Sequence, residues 1–244
     1  MQARSLSSPL SIPERLARLD WEALEHSLWD RGWAKTPPLL TSEECAGLIG
    51  LYRDSARFRS RVDMARFRFG CGEYKYFAEP LPAVVESLRR CAYPPLAVIA
   101  NRWESALGLR KRFPPDLDGL LAQCAERGQT KPTPLILQYG AGGYNCLHQD
   151  LYGDVVFPLQ LTCALSRREL DYAGGEFLLV EQRPRAQSRG EVVLLEQGET
   201  VIFATRDRPM RGKKGFFRAR MRHGVSRVVS GERYSLGVIF HNAQ

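Results

Sequence analysis

The stretch LILQYGAGGYNCLHQDLYGD, residues 135–154, decides how the rest of the chain is interpreted. It begins with an apolar strand pattern, passes through a glycine-rich turn and reaches His148-Gln149-Asp150. Alternate residues of a β-strand point to the same side, so we expect His148 and Asp150 to share one face and to be able to bind one metal ion. Because a His-x-Asp triplet also arises by chance in roughly one chain in six of this composition, the prediction needs support from elsewhere.

That support comes from a second stretch, RMRHGVSRVVSGERYSLGVIFH, residues 220–241. It places His223 in one strand-like run and Arg233 at the start of the next. Two histidines and one carboxylate that leave half of a metal's coordination sphere open form the ligand set of non-heme Fe(II) oxygenases. An arginine on a neighbouring strand can pair bidentately with the far carboxylate of a 2-oxo acid. The sequence thus predicts an iron site with a co-substrate anchor.

Any single histidine has an alternative explanation, because buried histidines are often hydrogen-bonded core residues. We expect that role for His26, on a helix, and for His241, near the end of the chain. The combination of His148, Asp150, His223 and Arg233, in this order and on strand-like elements, favours the metal site.

The composition limits the classes of protein to which the chain can belong. It has 244 residues, with 35 Lys and Arg against 27 Asp and Glu, for a net charge of +8. This positive balance favours polyanionic partners, nucleic acid among them. No apolar run approaches the eighteen residues of a membrane span and no cleavable leader is evident, so we expect a cytoplasmic protein, a monomer, with no membrane contact. Its six cysteines include no C-x-x-C pair, which argues against a disulfide framework or a zinc ribbon.

The N-terminal half, residues 13–131, is predicted to be mostly helical. Residues 1–12 are serine-rich and unpatterned, and we expect a mobile arm. A helix is predicted from Pro13 to Gly32, and a second begins at Thr41, where Glu44 completes a capping box. Three more helices are predicted with prolines between them: Pro82 to Cys91, Leu96 to Leu107 and Pro115 to Arg127.

Residues 53–77, RDSARFRSRVDMARFRFGCGEYKYF, interrupt this half with seven basic residues that alternate with aromatic ones. Arginine and aromatic side chains together suit phosphate pairing and base stacking, and Phe67 and Tyr76 are the candidate rings. The alternative is a twisted hairpin with its aromatic rings inward and its arginines in water. In either case, Gly70 and Gly72 mark the turn.

From residue 132 to residue 244 the pattern changes to short strands. Seven runs are apolar or alternate with period two: LILQY, PLQLTCALS, GGEFLLVE, EVVLL, TVIFAT, RARMRHGVSRV and RYSLGVIFH. A short strand at His148 makes eight. Eight strands with glycine-rich turns predict a mainly β fold with α elaboration: a double-stranded β-helix, or cupin-like jelly roll, packed by the N-terminal helices.

A second basic cluster, residues 206–222, contains eight Lys or Arg and a single acid, Asp207. It runs into the strand of His223, so we expect it to border the active site. Arg211, Lys213 and Lys214, in a loop punctuated by glycines, are the candidate phosphate ligands. Alternating arginines at positions 218, 220 and 222 are equally typical of the solvent side of an exposed strand.

The chain resembles the Fe(II)/2-oxoglutarate-dependent dioxygenases. The segment HGVSRVVSGERYSL is similar to a prolyl-hydroxylase-like pattern and QYGAGGYNCLHQD to the AlkB-like repair dioxygenases. The segments FRSRV, GEYKYF, ANRWESALG, GGYNCLHQDLYGDVVFPLQ, GGEFLLVEQRPR and MRHGVSRV together resemble a bacterial family of predicted oxygenases acting on damaged nucleic acid. The resemblance implies that His148, Asp150 and His223 bind Fe(II), that Arg233 and Tyr139 bind 2-oxoglutarate, and that O2 is the second co-substrate.

Three classes of function are compatible with the sequence. The resemblance and the charge favour oxidative dealkylation of alkylated nucleic acid, on a single strand or a flipped base. The prolyl-hydroxylase-like segment allows a hydroxylase of a protein side chain or a small metabolite. A non-catalytic metal-holding module is disfavoured by Arg233, since such a module needs no keto-acid anchor. AlkB-like enzymes place a second arginine six residues after the first, where this chain has Ile239.

Overall fold

The computed structural model describes residues 10–244, in which short strands with alternating side-chain burial pair into antiparallel sheets. The helices are α1 (Ile12–Ala17), α2 (Trp21–Arg31), α3 (Ser42–Leu51), α4 (Ala83–Ala106) and α5 (Leu117–Ala125). The strands are β1 (Trp33–Thr36), β2 (Phe58–Asp63), β3 (Gly70–Cys71), β4 (Glu73–Phe77), β5 (Leu135–Tyr139), β6 (Tyr144–His148), β7 (Leu159–Ala164), β8 (Tyr172–Gly174), β9 (Phe177–Gln182), β10 (Arg189–Val193), β11 (Thr200–Ala204), β12 (Asp207–Gly212), β13 (Gly215–Val225), β14 (Val228–Gly231) and β15 (Arg233–Val238).

Two sheets form the core of the fold. The first has seven strands in the order β1-β11-β7-β15-β5-β4-β2, and the second follows β10-β9-β13-β6-β3 with β12 added on β13. A separate pair joins β14 to β8. All eight predicted strands of the C-terminal region are present, and along the chain they are shared between the sheets as a jelly roll requires: β5, β7, β11 and β15 in the first, β6, β9, β10 and β13 in the second. The predicted fold class is confirmed.

The N-terminal half contributes more to the sheets than the sequence predicted. Strands β1, β2 and β4 extend the first sheet at both edges, and β3 extends the second. Residues 53–77 contain the hairpin of the alternative interpretation, with β2 antiparallel to β4 and β4 on β5, but Phe67 and Phe69 are exposed instead of facing inward. The short strands β1 and β3 carry little local signal, because their partners β11 and β6 are distant in the chain.

The first helices differ from the prediction in two places. The prediction for residues 1–9 lies outside the described residues, and α1 begins at Ile12, one residue before Pro13, with Ser11 and Glu14 in a capping box. The single helix predicted up to Gly32 is two helices, because the Asp20 side chain accepts a hydrogen bond from Ala23 N and caps a new start. Gly32, with φ +79°, ends α2 as predicted.

Helix α4 is continuous where two helices were predicted. Pro94 and Pro95 lie inside it, although each removes one backbone N–H donor. Residues on both sides of the pair, such as Leu88 and Leu96, are completely buried, while Pro94 is exposed. Burial of this face outweighs the local cost of the prolines, an effect that the local sequence does not show.

Candidate active site

The three predicted metal ligands meet at the end of β6. His148 is opposite His223 in the β6–β13 register, and their ring centroids are 4.2 Å apart. Asp150 follows two residues after the end of β6, in irregular structure rather than on the strand that the spacing predicted. Its Oδ2 is 3.1 Å from His223 Nε2 and its Oδ1 is 3.6 Å from His148 Nε2. One ligand atom from each residue lies within 4.8 Å of the others, so the cluster can hold one metal ion.

The backbone orients His148 for metal binding. Its Nδ1 is 2.8 Å from the carbonyl oxygen of Cys146, which can only accept, so Nδ1 carries the proton and donates. The lone pair of Nε2 is then free for a metal ion. His223 is buried, and its Nδ1 has no hydrogen-bond partner among the described residues.

The cluster has the electrostatics of an anionic ligand set. Burial by itself would raise the pKa of Asp150, but the neighbouring imidazoles, His223 before His148, hold that pKa well below its usual value. Burial and then the charge of His148 lower the pKa of His223. The ionised carboxylate lies between two imidazoles, and protonation of the His223 imidazole is disfavoured. This combination of groups suits a divalent metal ion.

A pair of tyrosines supports the carboxylate from the other side. The Tyr152 hydroxyl donates to Asp150 Oδ1 at 2.7 Å, and Tyr76 donates to the Tyr152 hydroxyl at 3.0 Å. Sequence reasoning missed Tyr152, although it lies two residues after Asp150. It proposed Tyr76 as a base-stacking ring, but this side chain is only 8% exposed and the Arg59 guanidinium lies over its ring, 4.5 Å from the centroid. Tyr76 is thus part of the site's hydrogen-bond network rather than an open stacking surface.

Arg233 is a buried cation without a charged partner in the described part of the chain. It is 3% exposed, its Nη1 donates to Ser235 Oγ at 3.1 Å, and its Nε has no partner. Within residues 10–244 no carboxylate oxygen lies within 4.0 Å of it. An uncompensated buried charge costs several kcal/mol, on the order of 3 to 5 when a partner is removed, which an anionic ligand would offset.

The surroundings of Arg233 leave room for such a ligand. Tyr139 is directly opposite on β5, with its ring centroid 5.6 Å from the guanidinium carbon. The Tyr139 hydroxyl accepts a hydrogen bond from Asn145 Nδ2 at 3.2 Å. Gly175 approaches closely: a Cβ there would lie 2.8 Å from Arg233 Cδ, and its φ is +64°. Sequence reasoning found Tyr139 by resemblance but missed Asn145, Ser235 and Gly175.

One cavity of 360 Å³ connects the metal cluster with Arg233. Tyrosines, leucines and phenylalanines are prominent in its wall, and Arg68, Phe69 and Leu147 are among its lining residues. A mostly apolar cavity with a few convergent polar groups is the usual form of a site for a small molecule.

A short turn beside this cavity carries the predicted ring Phe67. We call residues 64–69 the aromatic turn. Phe67 and Phe69 are 51% and 48% exposed, and their rings stack on each other with centroids 5.7 Å apart. Phe69 O accepts a hydrogen bond from Cys146 N, so the turn is attached to the strand that carries His148.

The candidate phosphate ligands of the second basic cluster are not where the sequence placed them. Arg211 lies on β12, and Lys213 and Lys214 form the tip of the β12–β13 hairpin rather than a loop at the site. Arg211 pairs with Phe216, seven residues from His223, or about 23 Å along the strand. The tip packs on the helices, where Phe216 meets Trp29 at 5.6 Å. The prediction that these three residues border the active site is therefore wrong.

The other two histidines, His26 and His241, differ in burial. His241 is completely buried, and its Nδ1 accepts a hydrogen bond from Phe157 N at 3.2 Å, as expected of a core residue. His26 is exposed on α2, so the core role predicted for it is wrong.

No helix among residues 10–244 combines the length and apolarity that crossing a bilayer requires.

Comparisons with known proteins identify a family for this chain. The model of the Oxygenase-NA family, described as an oxygenase catalysing oxidative methylation of damaged DNA, matches residues 72–243. Two uncharacterised proteins of Mycobacterium tuberculosis, MT2286 of strain CDC 1551 / Oshkosh and Rv2227 of strain ATCC 25618 / H37Rv, are each 53% identical over 167 residues, which is 68% of this chain and 72% of each relative.

Solved structures share the fold. A Pseudomonas putida prolyl-4-hydroxylase aligns with a TM-score of 0.55 and 15% identity over 92% of this chain and 99% of its own. An oxidoreductase of the 2OG-Fe(II) oxygenase family from Burkholderia pseudomallei aligns with a TM-score of 0.53 and 15% identity over 93% and 94%. The matched residues 72–243 include the metal cluster, Arg233 and all eight strands of the jelly roll, and the chain therefore belongs to the Oxygenase-NA family of oxygenases.

Proposed function

We propose that the protein is an Fe(II)- and 2-oxoglutarate-dependent dioxygenase that removes alkyl groups from nucleic acid. The observation that carries the proposal is the pairing, in one cavity, of a His-Asp-His cluster with the buried Arg233, which has no anionic partner among residues 10–244. The family description, and the presence of the fold in a 2OG-Fe(II) oxygenase, support the same chemistry.

His148, Asp150 and His223 would hold the iron. Two neutral imidazoles and one carboxylate would leave part of the metal's coordination open to a co-substrate and to O2. The donor set fits, because His148 Nε2 is free of hydrogen-bond donation and the Asp150 carboxylate lies between both rings. Tyr152 holds the carboxylate in this orientation.

Arg233 would bind 2-oxoglutarate through the carboxylate far from the metal. Its guanidinium offers the planar fork that carboxylates accept, and Ser235 fixes one side of that fork. Tyr139, whose hydroxyl receives a hydrogen bond from Asn145, retains its own proton for a ligand oxygen. When bound, iron and 2-oxoglutarate supply an O2-derived oxidant that hydroxylates a C–H bond, while 2-oxoglutarate becomes succinate and CO2.

The substrate assignment rests on the aromatic turn and the family description. Phe67 and Phe69 present a stacked, half-exposed ring pair beside the cavity, and base–aromatic stacking is a general means of holding single-stranded nucleic acid. A base must leave the stack to reach an enclosed metal. Hydroxylation of an N-methyl carbon leaves a hemiaminal that loses formaldehyde, so the oxidation removes the methyl group.

A turnover assay tests the proposal. Purified protein with Fe(II), O2 and 2-oxoglutarate is offered single-stranded oligonucleotides carrying N-methylated adenine or cytosine, unmethylated oligonucleotides, proline-containing peptides and free metabolites. We expect succinate above background with the methylated oligonucleotides. The alternative is a hydroxylase of a protein side chain or small metabolite, as the prolyl-4-hydroxylase with this fold acts. Stimulation by peptides or metabolites alone would replace our substrate assignment with that alternative.

A further inference from the structure

A second charged feature adjoins the active site on the outer face of the second sheet. It is a groove of 360 Å³ that we call the arginine groove, and five arginines line it: Arg183, Arg185, Arg206, Arg218 and Arg220. Arg218 and Arg220 alternate on β13 with the buried Ala219 and Met221, so their side chains point to solvent.

The groove has more positive than negative charge. Arg183 pairs with Glu181 at 2.6 Å and Arg206 with Asp207 at 3.3 Å. In the described part of the chain, no carboxylate oxygen lies within 4.0 Å of Arg185, Arg218 or Arg220. Three guanidinium groups therefore face the groove without an ion-pair partner.

The groove begins beside the metal ligands. Gln149, between His148 and Asp150, donates from Nε2 to Arg206 O at 3.2 Å and to Met221 O at 2.8 Å. Arg220 is three residues from His223 on the same strand, or about 10 Å. A chain-like ligand that leaves the cavity and turns onto the outer face of the sheet would reach the groove over a distance of about 10 Å.

The groove and the aromatic turn lie on different sides of the strand that carries His148. In the order of the second sheet, β9 and β13 border the groove, β6 carries His148, and β3 follows the aromatic turn. A strand crossing the mouth would thus meet aromatic rings on one side of the iron and arginines on the other. Rings for bases and arginines for the backbone are the combination by which proteins bind single-stranded nucleic acid.

We propose that the arginine groove binds the phosphodiester backbone of the strand whose alkylated base enters the active site. The inference rests on the proposed function and adds to it the surface that positions the substrate. Guanidinium groups pair bidentately with phosphate oxygens, and partners of this kind fix the register of a strand without reading its sequence. In this proposal the groove takes the role that the sequence analysis gave to Arg211, Lys213 and Lys214, which the structure places at the β12–β13 hairpin.

A binding measurement with a matched control tests this inference. Fluorescence anisotropy of a labelled, unmethylated thymidine oligonucleotide is followed over a salt series, with the full-length protein and no turnover. The test variant is Arg218→Glu with Arg220→Glu, and the control is Lys213→Glu with Lys214→Glu. Both double variants change the net charge by the same amount, and all four substituted residues are exposed on the β12–β13 hairpin. Only the variant at Arg218 and Arg220 alters the groove. Thermal unfolding of both variants verifies that they are folded.

We expect the test variant to bind about tenfold more weakly or worse at low salt. Loss of two phosphate contacts should flatten the log–log salt dependence by about 1.4, since each contact on a single strand contributes about 0.7. The control should keep most of the wild-type slope. Equal flattening in both variants would mean that only net charge matters and would overturn the inference. The inference would also be overturned if the wild-type protein did not bind the oligonucleotide. It would be overturned as well if a polyglutamate peptide displaced the labelled oligonucleotide as effectively as unlabelled oligonucleotide does.

Failure of the groove and failure of the proposed function are distinguishable. If methylated oligonucleotides are oxidised but the groove variant keeps the wild-type salt slope, the groove is wrong and the function stands. If the slope changes as expected but no methylated oligonucleotide is oxidised, the groove is a backbone-binding surface and the dealkylation proposal fails.

Discussion

The Tyr152 hydroxyl donates a hydrogen bond to Oδ1 of Asp150 at 2.7 Å and leaves Oδ2 as the oxygen nearest to His223. Burial, and then the charge of Asp150, raise the pKa of Tyr152 well above its usual value, so the phenol remains a donor at neutral pH. Hydrogen bonds to a metal-binding carboxylate fix its orientation and therefore the affinity of the site.

Tyr152→Phe should accordingly weaken the metal centre without unfolding the protein. Partners of this kind typically contribute about 10- to 100-fold in metal affinity or activity. Calorimetric titration of the metal-free protein with Mn²⁺, together with succinate formation in Fe(II), measures the loss. Tyr144→Phe, at a half-exposed tyrosine of β6, is the matched control and should bind metal normally. Equal affinities in Tyr152→Phe and wild type would show that Tyr152 does not position the ligand.

Removing the carboxylate itself should abolish metal binding. Asp150→Ala deletes one of three ligands, and we expect a loss of more than about 100-fold, beyond the effect of a supporting residue. Iron content after dialysis is the measurement, and Asp154→Ala, at an exposed aspartate four residues away, is the control. Stoichiometric iron in Asp150→Ala would move the metal site elsewhere.

Arg233→Met should act on the co-substrate and spare the metal. Loss of a charge-assisted bidentate pair costs about 1.5 to 3 kcal/mol, which corresponds to a ten- to hundredfold rise in the 2-oxoglutarate concentration for half-maximal rate. Arg222→Met removes an exposed arginine from the neighbouring sheet and should leave that concentration unchanged. If instead Arg222→Met raised the half-maximal 2-oxoglutarate concentration and Arg233→Met did not, Arg222 would be the residue that binds 2-oxoglutarate.

His241 should make folding stability depend on pH. Burial lowers its pKa to about 4, from an ordinary value of 6.5. The unfolded chain therefore takes up the proton first, and the stability present above pH 6.5 is lost as the pH falls toward 4. The whole loss is on the order of 3 kcal/mol, at about 1.4 kcal/mol per pH unit.

The variant His241→Asn isolates this effect. Its amide oxygen can accept the Phe157 N–H as Nδ1 does, but it does not titrate. Urea unfolding of both proteins between pH 7 and pH 4.5 should show the wild type losing more stability than the variant. Because both retain Asp150, its titration cancels in the difference. Parallel curves would mean that His241 is not titrated by unfolding.

The metal ligands and the arginine anchor were predictable because their chemistry depends on residue type and order. His148, His223 and Arg233 lie in strands with clear apolar patterns, and Asp150 follows two residues after the end of β6. The strand pattern and the family resemblance together predicted these four residues, and the structure brings them to one cavity. Tyr139 shares a register position with Arg233 but was found by resemblance alone.

The surroundings of the site could not be predicted because they depend on pairing between distant segments. Tyr76 has the same local pattern as an exposed aromatic, and only the contact with Tyr152, 76 residues away, reveals its burial. Arg211 lies in a basic, glycine-punctuated stretch that is typical of a phosphate-binding loop. The hairpin register nevertheless places it far from the active-site cavity. Pro94 and Pro95 were predicted to separate two helices, but they lie inside the single helix α4. Burial of the helix face in the tertiary structure outweighs their low local helix propensity.

The most direct test of the account is the stoichiometry of its products. Wild-type protein with Fe(II), 2-oxoglutarate and O2 is given a single-stranded oligonucleotide with N-methylated adenine or cytosine, and succinate and formaldehyde are quantified together. We predict equal amounts of both above the uncoupled background, and neither product with Asp150→Ala. Succinate without formaldehyde from every methylated oligonucleotide, with full coupling to a peptide or metabolite instead, would contradict the assignment to nucleic-acid dealkylation.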